Sequence, residues 1–175
     1  MEKLIKIGEP AVPFIISSIR KEENFPRPKD MLLLIVILGE IRSPISIGSL
    51  IDIMKDVKNN ITSSAVAEAL AKIGKPAIQE IHNIIKHSDN KLQRLYAYGA
   101  LGYMHEEDAH TILIEQLDKD IELVNVICMA LSEYSHTDDI EKIYAVYDKL
   151  EDTLFLTDIE ESVFSIANNS NKNHS

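Results

Sequence analysis

Residues 69–78, Ala69-Leu-Ala-Lys-Ile-Gly-Lys-Pro-Ala-Ile78, decide the fold. An apolar stretch ends at Ile73, Gly74 supplies the sharp reversal, and Pro76 opens a second amphipathic stretch where its missing N–H costs nothing. The same phrase recurs at falling fidelity from Leu4 to Ala11, from Leu38 to Ile45, from Leu101 to Ala109 and from Leu131 to Asp139. Its leading leucines, Leu4, Leu38, Leu70, Leu101 and Leu131, are spaced by 34, 32, 31 and 30 residues. A helix, a turn and a second helix at that period form a unit that buries its apolar stripe only against its neighbours, so the chain is expected to be an all-α solenoid. The array is expected to cover residues 1–167, with residues 168–175 as a disordered polar tail.

First helices are expected at Met31–Ile41, Ala65–Ile73, Leu92–Tyr103 and Ile121–Tyr134. Polar residues that satisfy free N–H groups precede them at Pro28-Lys-Asp30, Thr62-Ser-Ser64, Ser88-Asp-Asn90 and Asp118-Lys-Asp120. Gly8 and Gly74, with Gly39 and Gly102 a few residues earlier in their phrases, are expected to permit the turns. Pro10, Pro44 and Pro76 then open second helices. These read Ala11–Ile19, Ile45–Asp56, Ala77–Lys86, Ala109–Leu117 and Ile140–Leu150, anchored by Ile15, Leu50, Ile81, Leu113 and Ile143. Lys21–Pro28 reads as an exposed loop whose Phe25 is either a contact residue or tucked back onto neighbouring helices. Asp158–Ala167 resembles a sixth first-type helix closing the array, and Met1–Ile7 a remnant of the opening one, truncated or covered by another chain.

The phrases Leu38-Gly-Glu-Ile-Arg-Ser-Pro44 and Ala69 to Ile78 resemble HEAT-like repeats of the short bacterial and archaeal type also found in phycobilisome lyases. The resemblance covers about residues 1–150 and is fullest in the fourth repeat, where Asp89, Arg94, Ala97, Ala100, Leu101 and Gly102 fall at the family's spacing. It implies a right-handed superhelix of about five repeats, and a function of binding rather than catalysis, because the family is mainly one scaffold carrying many surfaces.

Composition narrows the classes further. The longest apolar run, Met31–Leu38, is eight residues against the ~20 that span a bilayer, and Glu2 stands where a signal sequence carries basic residues. A soluble, cytoplasmic protein is expected. Cys128 is the single cysteine, which excludes an intrachain disulfide, and its apolar surroundings suggest a buried thiol. The net charge of −10 is uneven: residues 1–103 carry 14 Lys/Arg against 11 Asp/Glu, whereas residues 104–163 carry 3 against 17. That acidic half repels nucleic acid. It suits either a surface that steers a basic partner or one that keeps an array end soluble.

Catalytic chemistry has no visible carrier. HEAT-like deoxyhypusine hydroxylases hold iron with His-Glu pairs six and five residues before the repeat leucine. Here those positions are Leu32-Leu33, Ser64-Ala65, Leu95-Tyr96 and Asn125-Val126, none able to bind iron. Glu106 and His110 stand at the i,i+4 spacing of two ligands, with no third apparent and a solvated turn as the plainer reading. The six histidines form no metal-spacing cluster, and neither a phosphate loop nor a nucleophile elbow is present. HEAT-like DNA glycosylases are also similar, but the densest basic group, Arg20, Lys21, Arg27 and Lys29, is interrupted by Glu22 and Glu23. The expectation is therefore a non-enzymatic protein-interaction module without metal or cofactor, binding a protein with a basic patch and neither nucleic acid nor membrane. Its partner-binding residues are expected on the second helices at Asp52, Gln79, Asn83, Thr111, Glu115 and Glu141. The alternative is a lyase-type or chaperone-like regulatory subunit acting on a cofactor-bearing protein.

Overall fold

The computed structural model describes residues 1–20, 28–55, 60–150 and 156–172, and among these every regular element is a helix. The chain divides into two compact units, Met1–Ala100 and Leu101–Ser175. The first holds α1 (Glu2–Ile7), α2 (Val12–Arg20), α3 (Pro28–Ile41), α4 (Ile47–Lys55), α5 (Asn60–Ile73), α6 (Ile78–His87) and most of α7 (Lys91–Gly102). The second holds α8 (Glu107–Gln116), α9 (Val124–Ser132), α10 (Asp139–Tyr147) and α11 (Leu156–Lys172). In the first unit α3 packs on α2 and α5, and α4 on α5 and α6; in the second α9 packs on α8 and α11, and α10 on α11. Some of these contacts join consecutive helices and others join a helix to the next but one, as in α3 on α5, α4 on α6 and α9 on α11.

The turn between paired helices has a fixed backbone signature. The residue four positions after each repeat leucine has positive φ: Gly8 at 73°, Arg42 at 57°, Gly74 at 76°, His105 at 53° and Ser135 at 57°. Gly8 and Gly74 combine this with ψ of −144° and −142°, a region that glycine alone enters without steric cost. The other three sit near the left-handed helical region, where a Cβ costs about 1–2 kcal/mol. Pro10, Pro44 and Pro76 each fall in a single 3-10 turn that leads into the second helix, as expected.

Gly39 and Gly102 correct the expectation, because they serve packing and not the turn. Both lie inside first helices. A Cβ on Gly39 would stand 2.8 Å from the Ala69 Cα, and one on Gly102 would stand 2.9 Å from the Ala130 Cα. Successive first helices thus approach backbone to backbone, through a glycine on one and an alanine on the next.

Helix starts differ in part from the expected ones. Asn90 does cap α7, its Oδ1 accepting from the Leu92 N–H at 2.9 Å and the Gln93 N–H at 3.4 Å. Thr62-Ser-Ser64 does not cap, since α5 already begins at Asn60 and Ser63 is buried. α11 continues to Lys172, so residues 168–172 extend a helix where a tail was expected. Phe25, Glu22 and Glu23 lie outside the described residues.

The core follows the period. Leu38, Leu70, Leu101 and Leu131, and the anchors Ile15, Leu50, Ile81, Leu113 and Ile143, are all 2% exposed or less. Each contributes about 1.5–3 kcal/mol by leaving water. Polar side chains repeat the same interval across helices: Ser43 donates to Glu9, Arg20 pairs with Asp52, Lys72 with Glu40, Tyr134 donates to the Leu101 carbonyl, and Asn125 to Asp158, at separations of 32–34 residues.

Candidate functional site

Among the described residues, a groove in the first unit and a side-chain cluster in the second combine accessible polar groups with defined geometry. The six residues expected to contact a partner divide between the two units. Asp52, Gln79 and Asn83 belong to the first unit; Thr111, Glu115 and Glu141 belong to the second. Five are exposed and Asn83 is half-buried, which follows from their positions two residues before or after a buried anchor on the same helix.

Their local partners differ. Asp52 on α4 is paired with Arg20 on α2 at 3.0 Å, both well exposed, an arrangement worth little in stability. The Gln79 side-chain amide donates to Oδ1 of Asn83 at 3.3 Å along one face of α6. The Thr111 hydroxyl is turned back onto its own helix, donating to the Glu107 carbonyl at 2.9 Å. Gln79 and Asn83 are thus brought together, while Asp52 and Thr111 are engaged locally.

Asn83 lines a groove of about 640 Å³ in the first unit, with Lys55, Glu80, His87, Asn90 and Gln93 among its walls. Gln93 fixes one edge by donating to the Lys55 carbonyl at 2.7 Å and accepting from the Ser88 hydroxyl at 2.6 Å. Lys55, Glu80, Asn83 and His87 give the groove cationic, anionic and amide groups with no concentration of one charge.

In the second unit, side chains from two consecutive turns converge. His110, 9% exposed on α8, lies with Nε2 2.6 Å from Oδ2 of Asp139, the 1%-exposed first residue of α10. The other carboxylate oxygen of Asp139 accepts from Lys142 at 3.2 Å. His136, in the turn before α10, places its ring 4.4 Å from that of His110, and Tyr134 lies 5.1 Å from His110 on another side. Tyr134 is held by donating its hydroxyl to the Leu101 carbonyl at 2.6 Å, and His105 packs 5.8 Å from its ring. Burial pushes the Tyr134 phenol up to about 12, against a smaller opposing hydrogen bond from the Glu106 backbone. Glu107, exposed at the start of α8, closes the group with Oε1 3.8 Å from His136 Nε2.

This cluster was missed by local motif reading because its members are 26 and 29 residues apart. The repeat interval is the signal that finds it: His105 and His136 differ by 31 positions, and His110 and Asp139 by 29, so each pair occupies corresponding places in consecutive turns. Glu106, the sequence candidate for pairing with His110, instead precedes α8, and its neighbour Glu107 joins the cluster.

Cys128 is buried on α9, and desolvation pushes its thiol up to about 12, which leaves it unreactive at neutral pH. No helix among the described residues is long and apolar enough to cross a membrane. Comparison of the chain with protein-family models and with curated proteins gives no match, so its function is argued from its own residues.

Proposed function

We propose that this chain is a non-enzymatic protein-interaction module, a HEAT-like α-solenoid of about five repeats that binds a partner through the exposed positions of its second helices. One observation carries the reading. Every second helix, α2, α4, α6, α8 and α10, buries a single anchor stripe while keeping polar residues two positions away on its accessible side. Next-but-one contacts, α1 on α3, α3 on α5 and α4 on α6 in the first unit and α9 on α11 in the second, support stacking of like helices within each unit. A surface of this kind gains affinity from shape and distributed polar contacts, with no need of a reactive group.

The partner is a protein with a basic patch. Residues 104–163 hold 17 acids against 3 lysines, and Glu115 and Glu141 stand exposed among them. Charge of one sign speeds encounter with its opposite and is screened over about 8–10 Å at physiological salt. The test is affinity capture with the full chain, followed by association kinetics of the captured protein at two ionic strengths. Glu115→Lys combined with Glu141→Lys should slow association several-fold, whereas Glu2→Lys with Glu68→Lys, on first helices, should change it little. Association indifferent to salt and to both reversals would refute the electrostatic reading, and stoichiometric turnover of a substrate by the purified chain would refute the non-enzymatic one.

A further inference from the structure

Glu107, His110 and His136 each bring one ligand atom to within 4.8 Å of the others'. A point therefore exists no more than about 2.8 Å from all three atoms, against the ~2.0–2.2 Å of zinc bonds to imidazole and carboxylate. The shortfall is small, and it falls on mobile groups: the side chains of Glu107 and His136 are 81% and 40% exposed and rotate without disturbing the core.

His110 is the fixed element. Its side chain is 11% exposed and Asp139, 1% exposed, takes its Nε2. With Nε2 donating to the Asp139 carboxylate, a neutral His110 ring presents its lone pair at Nδ1. Asp139 is itself held by Lys142 at 3.2 Å, and the pair sits in a segment where acids outnumber lysines 17 to 3. A buried carboxylate that holds one ring nitrogen of a histidine, beside a second histidine and an exposed carboxylate, is the arrangement by which proteins orient imidazole towards a divalent metal and raise its basicity.

We propose that Glu107, His110 and His136 form a binding site for a divalent transition-metal ion of the zinc type, with Asp139 as the residue that positions His110. Two imidazoles and one carboxylate select borderline ions such as Zn²⁺ and Co²⁺ over Mg²⁺ and Ca²⁺, which favour all-oxygen shells. Three protein ligands leave a fourth position for water or for a donor from another molecule. The site departs from the metal-free expectation for this chain and stands on residues that the interaction surface does not require.

The experiment uses the full chain without an affinity tag, titrated with Co²⁺ followed by absorbance and with Zn²⁺ followed by calorimetry. One equivalent should bind per chain. His136→Ala and Glu107→Gln, which alter exposed side chains, should each weaken binding at least 10-fold while the metal-free melting temperature stays at the parent value. Asp139→Asn should weaken it 10- to 100-fold with all three ligands present. Failure to bind a stoichiometric ion, or an affinity left unchanged by either surface substitution, overturns the proposal.

Discussion

Two glycines three residues apart on α7 should respond oppositely to the same substitution. Replacing Gly102 with alanine puts a Cβ 2.9 Å from both the Cα and the Cβ of Ala130 and 3.3 Å from its carbonyl oxygen, and neither backbone atom can rotate away. The first helices must move apart, an overpacking that costs about 1–3 kcal/mol. Alanine returns roughly 1 kcal/mol of helix propensity at most, and less at this terminal position, so a net loss of about 1–2 kcal/mol is expected. At Gly99 nothing lies within 4 Å of the added Cβ, and the propensity gain of about 0.4–1 kcal/mol stands alone. For a chain of 175 residues each kcal/mol moves the melting temperature by about 2–4 °C. Thermal unfolding followed by circular dichroism should therefore place Gly102→Ala about 2–8 °C below the parent and Gly99→Ala above it. Gly102→Ala melting at or above the parent would show that the close approach of the two helices is not a constraint, and the packing argument would fall.

Gly74→Val forces a β-branched residue into φ 76°, ψ −142°, and should destabilise by about 1–3 kcal/mol in urea titration; an unchanged midpoint contradicts the turn geometry. Cys128 should resist a thiol reagent in the native state at pH 8 and react fully in denaturant, because burial raises its thiol to about 12; rapid native labelling would contradict that burial. Tyr134→Phe leaves the Leu101 carbonyl without its 2.6 Å donor and should cost about 1–2 kcal/mol. The Tyr134 phenol is raised from 10 to about 12, so its contribution to stability is complete below about pH 10 and is lost as pH rises through 12. The tyrosinate absorbance titration of the parent should accordingly show a late component that Tyr134→Phe removes.

The turn phrase was legible because its determinants are local. Backbone sterics at Gly8 and Gly74 and the missing N–H of Pro10, Pro44 and Pro76 act within a few residues, and the anchors declare themselves through helical periodicity. Gly39 and Gly102 were misread because what constrains them is an alanine about 30 positions away, invisible to a window of one turn. The start of α5 at Asn60 eluded the capping argument since Thr62, Ser63 and Ser64 are tolerated within a helix whose stability comes from packing. The outward positions Asp52, Gln79, Glu115 and Glu141 followed from the anchors, but the engagement of Asp52 by Arg20 and of Thr111 by its own helix did not. The histidine cluster required both the repeat interval and the fold, because no pair of its members from different turns is close in sequence.

Hydrogen bonds that recur at 32–34 residues also bear on how the protein yields to force. Each tie joins one helical pair to the next, so detaching a terminal pair releases roughly 30 residues, or ~100 Å of extended chain. Within either unit, pulling one helical pair away means breaking its cross-pair hydrogen bonds together with its buried anchors, so such a pair is expected to yield as a single step of that size in an optical trap.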